Sequence, residues 1–182
     1  MQEITEYLTF ILSCIYFMIP AYAANMAPVF VRGLKFLNRP VDFGLKLWDN
    51  QRVFGKNKTW RGLFFGVFAG LLIFLLQKQL YTAGVLRNIS VIDYTAASFL
   101  IGIGLGLGAL LGDLAGSFIK RRLKIKEGQD IPVLDQSDFA VGAVLFSFWL
   151  LSWPQLITIL LVSPSLHWLA NYIGYKFRIR ID

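Results

Sequence analysis

Residues 94–122 read YTAASFLIGIGLGLGALLGDLAGSFIKRR. No residue from Tyr94 to Gly112 is charged, and the run closes on Asp113, Lys120, Arg121 and Arg122. A helix that crosses hydrocarbon needs about 20 mostly apolar residues, because only a helix satisfies its own backbone there. The segment Tyr94–Asp113 meets that length, and cations mark its far end. Gly102, Gly104, Gly106 and Gly108 recur at every second position. That spacing places them on two sides of a helix and suits close packing against neighbours. They lie inside the apolar run, so they imply no phosphate loop.

Four further stretches approach the same length: Tyr7–Val31, Leu63–Leu80, Phe139–Trp153 and Leu156–Tyr175. Only Ser152-Trp153-Pro154-Gln155 separates the last two, which makes either a tight hairpin at a membrane face or one bent element. Hydrophobic residues make up 56% of the 182 and charged residues 16%. Soluble domains carry about 25% charged residues. The expectation is an all-α, polytopic integral membrane protein of about five transmembrane helices, forming a single membrane-embedded domain over residues 1–182. Ala21-Tyr22-Ala23 resembles a signal-cleavage site, but Glu3 and Glu6 precede it with no Lys or Arg, so the first span reads as a retained helix. Cys14, the sole cysteine, reads as a small buried hydrophobe. His167, the sole histidine, reads as a packing residue, and no His-based triad or zinc site is present.

The net charge of +7 is unevenly placed. Arg32, Lys35, Arg39, Lys46, Arg52, Lys56, Lys58 and Arg61 fill the connection between spans one and two. Lys120, Arg121, Arg122, Lys124 and Lys126 follow span three, and Lys176, Arg178 and Arg180 form the tail. With five spans all of these share one side, leaving Lys78 and Arg87 for the other. Short loops rich in Lys and Arg stay cytoplasmic. The N-terminus is therefore expected outside and the C-terminus in the cytoplasm. Topology and attraction to anionic headgroups account for the scattered cations; no nucleic-acid module is recognisable. Nothing in the sequence fixes an oligomeric state.

Three clusters carry chemistry. Gly55-Lys56-Asn57-Lys58-Thr59-Trp60-Arg61-Gly62 sets two lysines, a hydroxyl and an arginine before span two. Lys and Arg neutralise phosphate, while Trp60 also suits an interfacial belt. In the second cluster, Asp113, Ser117, Lys120 and Arg121 share one helical face, being spaced i, i+4, i+7 and i+8. A carboxylate near the end of a span is usually functional, and the alternative is an ion pair with Lys120 or a neighbouring helix. The third, Pro132-Val133-Leu134-Asp135-Gln136-Ser137-Asp138-Phe139, sets two carboxylates at a helix start. It admits helix capping, with Asp135 as N-cap, and ligation of a hard cation such as Mg²⁺, and the two are compatible. If the inner ends of spans two, three and four meet, metal ligands stand beside phosphate-binding residues, as phosphoryl-type transfer requires.

The chain resembles the CDP-archaeol synthase family, relatives of the phosphatidate cytidylyltransferases. The likeness rests on Ala21-Tyr22-Ala23-Ala24-Asn25, Lys58-Thr59-Trp60-Arg61-Gly62, Gly112-Asp113 to Arg122, and Pro132 to Asp138. It implies Mg²⁺-dependent transfer of CMP from CTP to a lipid phosphate, 2,3-bis-O-geranylgeranyl-sn-glycerol 1-phosphate in archaea, giving CDP-archaeol and pyrophosphate. Carried over residue by residue, Asp113, Asp135 and Asp138 hold metal, and Lys120, Arg121, Lys58 and Arg61 bind phosphates. Asn25, Thr59, Trp60, Ser117 and Arg122 complete the substrate site. Arg61 stands where the bacterial diacyl-lipid enzymes carry an acidic residue, and their Gly-His-Gly-Gly stretch before the acidic pair is missing; both departures point to the archaeol branch.

Two other readings compete. A CDP-alcohol phosphatidyltransferase needs an Asp-Gly, then Ala-Arg, then two Asp residues four apart, and no such run is present. A small transporter predicts polar residues at mid-depth in several spans or an inverted repeat. Spans two and four have almost no such residues, and no repeat is found.

Overall fold

A computed structural model describes residues 2–129, 131 and 133–176. Pro132, Arg178 and Arg180 lie outside the described residues, as does the side chain of His167. The described chain holds five α-helices: α1 Gln2–Phe30, α2 Trp60–Thr82, α3 Leu100–Arg122, α4 Leu134–Leu145 and α5 Trp153–Lys176. Short 3₁₀ turns occupy Arg87–Ile89 and Phe148–Leu150.

Glycine decides how the helices approach. On α3, Gly102 and Gly106 face α2, where Gly70 packs on the Gly106 backbone and a Cβ at Gly102 would enter the Phe74 ring. Gly108 and Gly112 turn the other way and meet Gly142 of α4 backbone to backbone. Gly104 and Gly116 also turn toward the α4 segment, facing Phe146 and Asp138. Positions four apart stay on one side of a helix, and a two-residue offset turns about 200°. The two glycine registers thus build two opposite grooves, and α3 runs at the centre between α2 and α4. Gly62 and Gly66 of α2 seat Pro28 and the Ala24 carbonyl of α1 in the same manner.

The core lies where α1, α3, α4 and α5 converge, on Cys14, Phe17, Met18, Ala21, Ala24, Leu105, Ala109, Phe139, Ala140, Ala143 and Ile159. Ala21 of the signal-like stretch and Ala24 just beyond it are wholly buried there, so α1 is an integral part of the packing. Outside the core, large apolar side chains such as Leu12, Phe64, Phe68, Leu72, Leu76, Leu111 and Ile119 are exposed along the helices. Three helices, α1, α2 and α3, are long and apolar enough to cross a membrane. This is a helical membrane protein.

Three boundaries differ from expectation. Span three begins at Leu100, because Asp93 turns the chain by accepting the Thr95 N–H (2.8 Å), and Tyr94 is buried between Phe74, Tyr81 and Tyr16. The fourth apolar stretch is not one helix: α4 has 12 residues and ends at Leu145 before the turn at 148–150. At 1.5 Å per residue it is about 18 Å long, short of a hydrocarbon core of about 30 Å. Asp135 is not the N-cap of α4; Val133 holds that position, and Asp135 accepts the Ile131 N–H from within the first turn. The Ser152–Gln155 connection does start a new helix. Gln155 Oε1 accepts the Ser152 N–H (2.8 Å), the reciprocal half of a capping box.

Candidate active site

The 31–59 connection is folded around one carboxylate. Asp42 is buried and accepts hydrogen bonds from Arg52 Nη2 (2.5 Å) and from the backbone of Gly44, Phe54 and Gly55 (3.0, 3.1 and 3.0 Å). Burial alone would raise this carboxyl, yet the Arg52 guanidinium and the N–H groups of Gly55, Gly44 and Phe54 prevail and hold it at about 2. Gly55 adopts φ +112°, open to glycine but strained for other residues, to present its N–H. The loop then pins Lys58. Its carbonyl accepts the Val41 N–H (2.8 Å), Thr59 bridges to Pro40, and Thr59 Oγ1 caps α2 through the Gly62 N–H (3.2 Å).

From that anchor Lys58 reaches across to α3, where its Nζ lies 2.7 and 2.6 Å from the two oxygens of Asp113. Lys120, the alternative partner offered by the shared helical face, instead pairs with Asp135 at 2.6 Å. Asp138 packs on the same stretch of α3. Gly112 lets the Asp138 backbone, and Gly116 its carboxylate, settle against α3, and a Cβ at either glycine would collide with them. Asp113, Lys58 and Asp135 are the charges that act on Asp138. Its Oδ1 accepts the Phe139 N–H (2.6 Å), while Oδ2 accepts no hydrogen bond among the described residues. Ser117 is buried one turn beyond Asp113.

Five of the expected residues therefore meet: Asp113, Asp135, Asp138, Lys58 and Lys120. Others are placed elsewhere. Arg61 is buried and donates to the Leu34 carbonyl, and Arg121 is buried and donates to the Lys126 carbonyl (3.3 Å). Arg122 pairs with Asp49 (3.2 Å), donates to the Arg52 carbonyl (2.7 Å) and lies over the Phe118 and Trp48 rings. These three arginines fasten loops to helix ends. Trp60 is partly exposed and tilts against Phe43. Asn25 is half-buried on α1, between the levels of Gly62 and Gly66, with no side-chain hydrogen bond among the described residues.

Residues outside the expected set complete the frame: Asp42, Asp49, Glu127 (which accepts the Lys56 N–H, 3.2 Å) and the glycine seats at 112 and 116. Asp42 carried a signal, since Asp-Phe-Gly forms the Asx-type turn that Gly44 closes. Gly112 and Gly116 continue the four-residue register of Gly104 and Gly108.

Three carboxylates and two ammonium groups offer hard oxygen donors beside phosphate-neutralising cations. Among the described residues no group of three or more His, Cys, Asp or Glu side chains is arranged to hold a metal ion. The lysines stand as the cations against Asp113 and Asp135. The donor chemistry nonetheless fits a hard divalent cation: the set is all oxygen, like charges act on one another, and Asp138 Oδ2 accepts no hydrogen bond among the described residues. A groove of about 470 Å³, lined by Gln136 of α4 and by Pro164, Ser165, Trp168 and Leu169 of α5, opens between these two helices; none of the clustered carboxylates lines it.

Comparison with known proteins finds relatives along almost the whole chain. The family model described as "CarS-like: CDP-archaeol synthase" matches residues 7–181. A CDP-archaeol synthase of Pyrococcus abyssi is 37% identical over 172 residues, covering 92% of this chain and 95% of the relative. One from Methanococcus maripaludis is 38% identical over 178 residues, covering 96% and 97%. A solved structure, described as "Structural insight into an intramembrane enzyme for archaeal membrane lipids biosynthesis", superposes with a TM-score of 0.68 at 35% identity, over 87% of this chain and 92% of that one. With a likeness that runs almost from end to end, this chain belongs to the CDP-archaeol synthase family.

Proposed function

We propose that the chain transfers CMP from CTP to 2,3-bis-O-geranylgeranyl-sn-glycerol 1-phosphate, releasing pyrophosphate and forming CDP-archaeol. The observation that carries this reading is the Asp113–Lys58, Asp135–Lys120 and Asp138 cluster at the basic end of a membrane-helix bundle. A lipid phosphate oxygen attacks the α-phosphorus of CTP, the bond to the β-phosphate oxygen breaks, and pyrophosphate leaves with that oxygen. No protein nucleophile is required; the residues position and neutralise.

Asp113, Asp135 and Asp138 would hold Mg²⁺, which supplies charge neutralisation at the phosphates when bound. Lys58 and Lys120, released from their carboxylates as the substrates arrive, neutralise phosphate oxygens. Arg61, Arg121 and Arg122 hold the loops that present them. Asn25 and Ser117 line the polar floor. The groove between α4 and α5 gives the isoprenoid chains a lateral way in from the lipid.

The topology proposed with this reading has five membrane-embedded segments in one domain, the N-terminus outside and the site facing the cytoplasm. It is supported by the basic loops, which meet at one end through Arg122–Asp49 and Lys56–Glu127, while Lys78 and Arg87 are bound to carbonyls at the other. The test supplies purified protein, Mg²⁺ and labelled CTP with either the ether-lipid phosphate or phosphatidate. Lipid-soluble label formed with the ether lipid, and lost on chelation, is expected. Preferential labelling of phosphatidate would move the chain to the diacyl reading, and labelling of neither would refute the transfer.

A further inference from the structure

The 31–59 connection presents an apolar surface that stays largely exposed and that the proposed chemistry does not use. Trp48 is 86% exposed, Phe43 71%, Leu45 61% and Phe36 60%. The loop is not loose around them, because Asp42 ties Arg52, Gly44, Phe54 and Gly55 together and Arg122 holds Asp49 and the Arg52 carbonyl. A segment held in place with its largest apolar groups outward is built to present them.

Ring contacts fix the depth at which it does so. Phe43 lies against Trp60, the first residue of α2, and Phe36 against Phe64, one turn further in, each with centroids 6.2 Å apart. The loop therefore runs beside the first two turns of α2, spanning about 6 Å of depth. Its exposed face continues directly into the lipid-facing Phe64 and Phe68 of that helix. Between the apolar groups stand Lys35, Arg39 and Lys46, all exposed and without an ion pair among the described residues. The two acidic residues of the connection, Asp42 and Asp49, are already taken by Arg52 and Arg122. Apolar rings with unmatched cations between them complement the headgroup–acyl boundary of an anionic leaflet.

We infer that residues 34–48 form an interfacial anchor that docks on anionic lipid, holding the Lys58 loop against the membrane surface. The inference stands apart from the CMP-transfer reading, since its test needs no turnover. Single cysteines replace Phe36 and Leu45, with Asn57→Cys and Gln129→Cys as exposed polar references, all on a Cys14→Ala background. Each carries a spin label, and the full-length protein is reconstituted in phosphatidylglycerol–phosphatidylcholine vesicles. Power saturation then compares collisions with oxygen and with a water-soluble nickel chelate. The labels at 36 and 45 are expected to be at least about threefold less accessible to nickel than the references, and to lose most of that protection in phosphatidylcholine alone. As a second readout that leaves Leu45 and Phe36 intact, wild type is expected to show more tryptophan quenching by brominated lipid than Trp48→Phe. Nickel access at 36 and 45 equal to that at 57 would overturn the anchor, and equal depth in both vesicle types would overturn the anionic partner.

Discussion

The glycines of α3 allow stability and chemistry to be separated by one-methyl changes. At Gly104 a new Cβ would lie 3.7 Å from its nearest neighbour, the Phe146 carbonyl, which is ordinary contact. At Gly112 it would lie 2.8 Å from the Asp138 carbonyl carbon and 3.2 Å from Gly142 Cα, both backbone. Alanine is favoured over glycine in a helix by about 1 kcal/mol, so Gly104→Ala should be neutral or slightly stabilising. Gly112→Ala must push α4 away, and overpacking of this kind costs about 1–3 kcal/mol, more where only backbone can yield. At about 2–4 °C per kcal/mol for a chain of this size, Gly112→Ala should lower the unfolding midpoint by roughly 2–12 °C. Gly116→Ala differs again, because its Cβ meets the Asp138 side chain, 3.0 Å from Cγ and 3.1 Å from Cβ. A carboxylate can swing aside more cheaply than a helix can move. Gly116→Ala should thus lose only a few degrees but about 100-fold in transfer, the loss typical of a displaced catalytic group. Thermal unfolding in detergent and CMP transfer on the three variants test this. A Gly112→Ala protein as stable as Gly104→Ala, or a fully active Gly116→Ala, would refute the packing argument.

Other expectations follow from the same contacts. Lys58→Met leaves Asp113 beside Asp138 without its counter-ion and should lower stability by about 1–2 kcal/mol, while Lys58→Met with Asp113→Asn should recover most of it. A double-mutant cycle of unfolding midpoints with no coupling would count against the pair. Asp42 is held at about 2 against an ordinary 3.8, so its contribution of about 2 kcal/mol is present above pH 4 and lost as pH falls through 2. The stability gap between wild type and Asp42→Asn should therefore close across that window, and a gap constant between pH 5 and 2 would contradict the Asp42 hub. Gln155→Ala removes the carboxamide that accepts the Ser152 N–H and should cost about 1 kcal/mol, read as a lower midpoint with transfer retained.

Much of the fold was legible because it rests on short periods. The apolar lengths announced α1, α2 and α3, and alternate glycines announced grooves on two sides of α3, as Gly106 against α2 and Gly108 against α4 bear out. Apolar runs do not announce where a helix breaks, however. Val144–Trp153 is apolar but for Ser147 and Ser152, yet α4 ends at Leu145; Tyr94–Phe99 carries no charge, yet lies outside α3. The site residues were legible by type but not by pairing. Which lysine meets Asp113 depends on how residues 31–59 fold around Asp42, a set of contacts with no local period. Arg61 and Arg121 read as phosphate ligands in sequence, and Arg122 as a substrate-site residue, because a basic cluster does not reveal that carbonyls and Asp49 already engage it.

The account turns on one cluster acting as the transfer site, and Asp138→Asn probes it most directly, since that change keeps the shape of the side chain seated on Gly116 while removing its charge. Initial rates of CMP transfer to the ether-lipid phosphate, with unfolding midpoints measured alongside, should fall by at least about 100-fold in a protein as stable as wild type. Transfer within about twofold of wild type would contradict the assignment of this cluster.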